Sequence, residues 1–127
     1  MKILGIDYGT KRVGLALSFE SLAEPLGIIE NTPSLIDELR RTCLEQNVEK
    51  IVVGISDREM AKRTKGFVEQ LQLAIQLPVD YIDESYSSVK VQALLHEAKT
   101  TQKKRREPID HFAATYILQE YLDTRSD

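Results

Sequence analysis

Short apolar runs alternate with longer amphipathic stretches along this chain, and the two patterns predict strands and helices respectively. Residues 2–7 and 12–18 are apolar at almost every position, with Gly9 in the turn between them. These two runs therefore predict a hairpin that is covered on both faces, at the centre of a sheet. Further strands are predicted at residues 26–30, after Pro25, at residues 50–55 and at residues 79–82.

Four stretches carry apolar residues at the three- and four-residue spacing of a helix. They cover residues 34 to about 46, 59 to about 76, 87 or 88 to about 98, and 109 to about 122. Leu35, Ile36, Leu39 and Leu44 form the predicted apolar stripe of the first helix. Cys43 shares the helical spacing of Leu35 and Leu39, which predicts a core thiol.

The order of these elements predicts an α/β fold. Three strands in a meander come first, and the later strands alternate with helices, so crossovers must join them into a parallel extension of the sheet. At 127 residues, the chain is expected to form a single domain over residues 1–127.

Composition narrows the classes of function. The chain is 42% hydrophobic and 29% charged, as in an ordinary soluble protein, and its net charge is -3. Such a balance excludes nonspecific coating of nucleic acid, so contacts with nucleic acid must come from local basic clusters. No apolar run approaches a membrane span, and one cysteine excludes an intrachain disulfide. We expect a cytoplasmic protein without a membrane partner.

One carboxylate interrupts the first apolar run. Asp7 ends a strand that is expected to be buried, and an ionised group there requires compensation. A hydrogen bond within the turn or a metal ion could supply it. Because the first, fourth and fifth strands are expected to run parallel, Asp83 or Glu84 should end the fifth strand at the same edge. Only one of these two can share the face of Asp7, and the sequence pattern leaves both open.

Asp110 is the third candidate. Its neighbours at helical spacing are Ala113, Ala114 and Ile117, so it belongs to the apolar stripe of the last helix. It could simply complement the positive end of that helix after Pro108. Together with two acids at strand ends, it could instead hold a divalent ion such as Mg²⁺, which prefers oxygen ligands.

Basic residues cluster at three places, where they could hold phosphates or simply form a solvated surface. These residues are Lys11 and Arg12 at the first turn, Lys62, Arg63 and Lys65 in the second helix, and Lys103, Lys104, Arg105 and Arg106 in the apolar-free segment 99–108.

The motifs resemble those of the YqgF/RuvX family over nearly the whole chain. They are residues 5–16 (GIDYGTKRVGLA), 51–54 (IVVG), 79–84 (VDYIDE), 109–114 (IDHFAA) and 117–122 (ILQEYL). The resemblance implies a ribonuclease H-like three-layer fold, with a five-stranded mixed sheet in the order 3-2-1-4-5 flanked by helices. It also implies similarity to the RuvC Holliday junction resolvases.

The resemblance further implies a nuclease that requires Mg²⁺ or Mn²⁺, with Asp7, Glu84 and Asp110 as catalytic and metal-binding residues. The expected substrate is the 5′ end of the small-subunit (16S) ribosomal RNA precursor. The alternatives are branched DNA, cut by a resolvase, or a catalytically weak nucleic-acid-binding module. A monomer or a weak homodimer is expected, and dimerisation would favour junction cleavage.

Two positions depart from the family pattern. Ile55 and Ser56 follow Gly54 where the family usually has Leu-Pro, and Ser85 stands where it usually has an arginine. Loss of that arginine removes a bidentate phosphate donor, which is expected to affect substrate grip. Residues 7–10 also resemble the first phosphate loop of the actin and sugar-kinase superfamily. Those proteins bind ATP between two such domains, so ATP binding is not expected from one.

Overall fold

The computed structural model describes residues 1–55, 58–83 and 110–124, without the side chains of residues 58 and 110–112. Within these ranges, five strands and three helices follow one another along the chain. They are β1 (Ile3–Tyr8), β2 (Arg12–Phe19), β3 (Leu22–Glu30), α1 (Leu35–Glu45), β4 (Lys50–Ile55), α2 (Arg58–Ala74), β5 (Val79–Asp83) and α3 (Asp110–Thr124). The helix predicted at residues 87–98 and the segment 99–108 lie outside the described residues.

The five strands form one mixed sheet in the order β3-β2-β1-β4-β5, which confirms the predicted topology. The meander is antiparallel, with Asp7 opposite Gly14, and β4 and β5 extend it in parallel, with Ile6 opposite Val53. The carboxyl ends of β1, β4 and β5 therefore lie at one edge of the sheet, which we call the carboxyl edge.

The third strand begins earlier than the sequence predicts. β3 covers Leu22–Glu30, so Pro25 lies within it and not before it. β3 is an edge strand, and its pairing register with β2 shifts between Leu15 and Ala16, opposite Gly27 and Pro25. Because proline is tolerated in an edge strand or at a bulge, Pro25 does not end this strand.

The first helical layer covers one face of the sheet. α1 and α2 pack on the even-numbered residues of β1, represented by Leu4 and Ile6, which are fully buried. Cys43 is buried in this core, as predicted. Leu44, in contrast, is 70% exposed, so its assignment to the apolar stripe was wrong. The stripe runs in steps of four from Leu35, and Leu44 lies on another side of the helix.

The opposite face of the sheet is covered by α3. Ala114, Ile117 and Leu118 of this helix are buried against Ile3 and Val52 of the sheet. The helix approaches β1 closely at Gly5, where an added Cβ would lie 2.8 Å from the Leu118 Cβ and 3.3 Å from the Ala114 carbonyl oxygen. No side chain larger than that of glycine fits at position 5 without movement of the helix.

Polar contacts fix the direction of α3 across the sheet. The Gln119 side chain accepts a hydrogen bond from the Ala23 N–H (2.8 Å) at the start of β3. The Tyr121 hydroxyl donates to the Asp80 carboxylate (2.5 Å), which also pairs with the Lys50 ammonium (2.7 Å). Hydrogen bonds to Asp80 and Tyr121 raise the pKa of Lys50, so its side chain remains positively charged. All these partners lie away from the carboxyl edge, so the beginning of α3 lies towards it.

Among the helices within residues 1–55, 58–83 and 110–124, none has the length and apolarity needed to span a bilayer.

We predict that Gly5→Ala destabilises the protein by about 1–3 kcal/mol, because the new methyl group overlaps Leu118. Thermal and urea denaturation measure this loss. In a Leu118→Gly background the same change should cost less, since the overlapping Cβ is gone. An equal cost in both backgrounds would contradict the packing described for Gly5.

We also predict that Cys43 resists thiol reagents in the folded protein at pH 8. Burial raises the pKa of this thiol from 9.0 to about 11, so little thiolate is present. The unfolded thiol ionises first, so the free energy of unfolding should fall as the pH rises from 9.0 towards about 11. Alkaline denaturation measures this decrease, which should be smaller in Cys43→Ala. Rapid labelling of the native protein at pH 8 would refute the assignment.

Candidate active site at the carboxyl edge

Asp7 lies near the end of β1 and is half-buried. Side chains alternate along a strand, so Asp7 shares a face with Ile3 and Gly5, the face that α3 covers. Its carboxylate is therefore placed between the sheet and the layer formed by α3. The structure supports a position at the carboxyl edge, where open α/β sheets bind ligands.

Glycines flank Asp7 on both neighbouring strands. Gly14 of β2 is its direct partner. On β4, Val53 pairs with Ile6 of β1 and with Tyr81 of β5. Gly54 follows Val53 as Asp7 follows Ile6, so Gly54 is the neighbour of Asp7 on this side. Both glycines share the face of Ala16 and Val52, which is the α3 face. Neither adjacent strand thus places a side chain beside the Asp7 carboxylate on this face.

Side chains alternate between the two faces of the sheet along β5. This alternation assigns a face to Asp83, one of the two acids that the sequence pattern left open. Asp80 contacts Tyr121 and Ile82 packs with the α3 cluster, so even-numbered positions of β5 belong to the α3 face. Val79 packs against the core beneath α1 and α2. Asp83 shares the parity of Val79 and thus belongs to the face opposite Asp7. Glu84 lies outside the described residues.

Asp110 is the first residue of α3. Ala114 and Ile117, four and seven residues later, are buried against the sheet. The spacing thus still predicts that residue 110 belongs to this stripe, and its side chain lies outside the described residues. Because α3 runs away from the carboxyl edge, the backbone of residue 110 begins the helix near the end of β1 that carries Asp7.

The turn after Asp7 is held by Asn31, a residue that the sequence analysis did not single out. The Asn31 side chain donates to the Gly9 carbonyl (2.8 Å), and its backbone N–H donates to the Lys11 carbonyl (2.9 Å). The turn is tight, since a Cβ on Gly9 would overlap the Arg12 carbonyl oxygen. An asparagine after an apolar run is a weak signal in a sequence, and the partner of its side chain, Gly9, is 22 residues away.

Basic residues of two predicted clusters are exposed near this edge. Lys11 and Arg12 follow the turn, and Lys62, Arg63 and Lys65 lie on α2. The ring of Tyr8, next to Asp7, stacks on Phe67 with 4.3 Å between centroids. This contact places the middle of α2 beside the end of β1. The third cluster, Lys103, Lys104, Arg105 and Arg106, lies outside the described residues.

Of the three acids expected to bind metal, Asp7 is the one whose side chain is among the described residues. Among residues 1–55, 58–83 and 110–124, no three histidine, cysteine, aspartate or glutamate side chains lie close enough to hold a metal ion. The two other expected ligands, Glu84 and the side chain of Asp110, are not in that set.

Comparisons with known proteins identify the family of the chain. Residues 1–124 match the family model described as "RuvX: Holliday junction resolvase". A Listeria monocytogenes protein named "Putative pre-16S rRNA nuclease" is 38% identical, covering 98% of this chain and 99% of that protein. A protein of the same name from Syntrophomonas wolfei is 37% identical, covering 97% of this chain and 94% of that protein.

Two solved structures share the fold. RuvC of T. thermophilus in complex with a Holliday junction substrate superposes with a TM-score of 0.67 at 19% identity, over 99% of this chain and 96% of that chain. The fowlpox virus resolvase bound to junction DNA gives 0.64 at 11% identity, over 98% of both chains.

The strand order and these superpositions define a ribonuclease H-like fold, and the relatives define a nuclease, an enzyme that hydrolyses phosphodiester bonds. The chain belongs to the RuvX (YqgF) family, as its motifs indicate.

We predict that Asn31→Ala loosens the turn after Asp7 and lowers the free energy of unfolding by about 1 kcal/mol, the usual value of one hydrogen bond. Amide exchange at Thr10 and Lys11 should become faster. Asn31→Asp keeps the shape but cannot donate to the Gly9 carbonyl, so it should behave like the alanine variant. Exchange as slow as in the wild type for Asn31→Asp would show that the donor is not needed.

Proposed function

We propose that this nuclease holds Mg²⁺ or Mn²⁺ through Asp7, Glu84 and Asp110 and processes the 5′ end of the 16S ribosomal RNA precursor in the cytoplasm. The observation that carries the proposal is the convergence of β1 and α3. Asp7 lies on the sheet face that α3 covers, and α3 begins at residue 110 at the same edge.

The donor set fits a hard divalent cation. Three carboxylates supply oxygen ligands, which Mg²⁺ and Mn²⁺ accept, and Mg²⁺ retains bound waters that need room. Gly14 and Gly54, next to Asp7 on the neighbouring strands, add no side chain on the ligand face. A metal would also compensate the burial of the Asp7 carboxylate.

Glu84 is proposed as the second ligand because Asp83 belongs to the opposite face of the sheet. Glu84 follows Asp83 directly in the sequence. Asp110 is proposed as the third ligand because the helix that begins with it packs on the Asp7 face.

Divalent ions in such a site supply a nucleophilic water at neutral pH and stabilise charge on the leaving oxygen. The chain itself would orient the substrate. Lys11 and Arg12, presented by the turn that Asn31 holds, would bind phosphates beside Asp7. Lys62, Arg63 and Lys65, with Lys103, Lys104, Arg105 and Arg106, would bind phosphates farther along the strand.

The names of the relatives support an RNA precursor as substrate. The description of the family model supports a second candidate, resolution of four-way DNA junctions. The two candidates require different assemblies, because a resolvase must cut two strands symmetrically. A monomer or weak homodimer is proposed for the RNA-processing form.

We predict that Asp7→Asn lowers the cleavage rate at least about a hundredfold in Mg²⁺, because it removes a charged ligand. Gel assays on a 16S precursor RNA and a four-way DNA junction, run side by side in Mg²⁺ and in Mn²⁺, measure the rate. Mn²⁺ binding followed by electron paramagnetic resonance should weaken in parallel.

The matched control is Asp83→Asn, the same chemical change at the same edge but on the opposite face. It should leave Mn²⁺ affinity close to that of the wild type. Equal losses in the two variants would contradict the ligand assignment. A wild-type protein that leaves both substrates intact in either metal would contradict the proposed function. Light scattering on the same sample measures the oligomeric state: a dimer would favour junctions as the substrate, and a monomer would favour RNA.

A further inference from the structure

Apolar burial sets the rotation of α3 about its own axis only weakly. In α1 and α2 the apolar residues are concentrated on one side of the helix, whereas in α3 they occur on several sides. Ala113 and Tyr116 lie on the side turned away from the buried Leu118, and both are half-buried. Because apolar contacts have no preferred direction, the rotation of this helix depends on its polar contacts.

Two polar side chains hold α3 from opposite sides. Gln119 accepts a hydrogen bond from the Ala23 N–H (2.8 Å) and donates to the Ser21 carbonyl (2.9 Å), at the start of β3, one edge strand of the sheet. Tyr121 donates to Asp80 of β5, the other edge strand. The two side chains leave the helix about 200° apart. A roll of α3 in either direction would therefore break one of these contacts.

The Tyr121 contact also sets how far α3 extends towards the carboxyl edge. Lys50, the first residue of β4, pairs with Asp80 at 2.7 Å, and its ammonium lies 5.4 Å from the centre of the Tyr121 ring. Residue 110 precedes Tyr121 by about 16 Å of helix. The strand from Lys50 to Ile55, the end of β4, has the same length of about 16 Å. These equal lengths predict that α3 begins at the level where β4 ends.

The same contact determines which side of α3 carries residue 110. The spacing from residue 110 to Tyr121 is three helical turns plus about 20°, which predicts that both lie on one side of the helix. That side is turned towards β5, because Tyr121 contacts Asp80. β5 ends at Asp83, and the proposed ligand Glu84 follows. A roll of about 20° would move a side chain of α3 by about 2 Å, more than the coordination of Mg²⁺ tolerates.

We propose that Gln119 and Tyr121 are positioning residues of the metal site: they set the rotation and the register of α3, and thereby the place at which residue 110 is presented to a metal held by Asp7. The inference rests on the proposed function, since it takes Asp110 as a ligand. Gln119 and Tyr121 act through the helix and from the end of the sheet away from Asp7. Their loss should therefore weaken metal binding although every ligand is retained.

The test is the Mn²⁺ affinity of two variants that remove polar contacts and nearly keep the size of the side chain. Tyr121→Phe loses the hydroxyl and leaves Asp80 paired with Lys50, and Gln119→Met loses the contacts with β3. Each should lower the melting temperature by about 3–6 °C, the usual effect of losing a hydrogen bond in a chain of this size. Electron paramagnetic resonance on the folded protein should show a loss of Mn²⁺ affinity of about fivefold, less than the roughly 10–100-fold loss when a direct partner of a ligand is removed.

The matched control is Ile75→Val, which separates positioning from stability. Ile75 is buried in the core on the opposite face of the sheet, and removal of one buried carbon lowers stability by a similar amount. This variant should melt at a similarly lowered temperature and bind Mn²⁺ as tightly as the wild type. An equal loss of affinity in Ile75→Val would overturn the inference, because it would trace the effect to stability alone. Unchanged affinity in Tyr121→Phe and Gln119→Met would also overturn it.

Binding is measured without substrate, so these outcomes are separate from the cleavage assay. A protein that cleaves the RNA precursor but shows no change of Mn²⁺ affinity in the two variants would overturn this inference alone. A protein that shows the predicted losses of affinity but cuts neither substrate would refute the proposed function and leave the inference standing. A wild-type protein whose Mn²⁺ binding does not depend on Asp7 would overturn both.

Discussion

The close approach of α3 to β1 is the contact on which the rest of the carboxyl edge depends. At Gly5 the helix lies near enough that a single methyl group would meet Leu118. The hydrogen bond of Gln119 and the Tyr121–Asp80–Lys50 cluster then fix the direction of the helix. Both the distance of the helix from the sheet and its direction are thus set by residues outside the proposed ligand set, and α3 begins towards the carboxyl edge.

Much of this fold could be predicted from local sequence patterns. The strand order, the helical layers and the burial of Cys43 agree with the predictions from periodicity, spacing and family resemblance. The start of β3 could not be predicted from the sequence. A proline would end a strand in the middle of a sheet, but Pro25 is tolerated because β3 is an edge strand. Leu44 was misassigned because apolar character alone does not say which side of a helix a residue occupies.

The candidate site was predictable in part. Asp7 could be found in the sequence, since a carboxylate in an apolar strand requires compensation. The choice between Asp83 and its neighbour could not be made from spacing, because the facing of β5 depends on its contacts with α3 and with the core beneath α1 and α2. The roles of Gly14, Gly54 and Asn31 appear only when the strands are paired, since their partners are distant in sequence.

The separation of Ala23 and Gln119 by 96 residues also has a consequence for biosynthesis. Chains fold as they leave the ribosome, starting from the N-terminal side. The hairpin of β1 and β2 emerges early, but the face with Ile3, Ala16 and Asp7 stays uncovered until α3 is made. A nascent chain thus carries an uncovered, aggregation-prone apolar face until that point. The complete fold can form only after α3 has been translated.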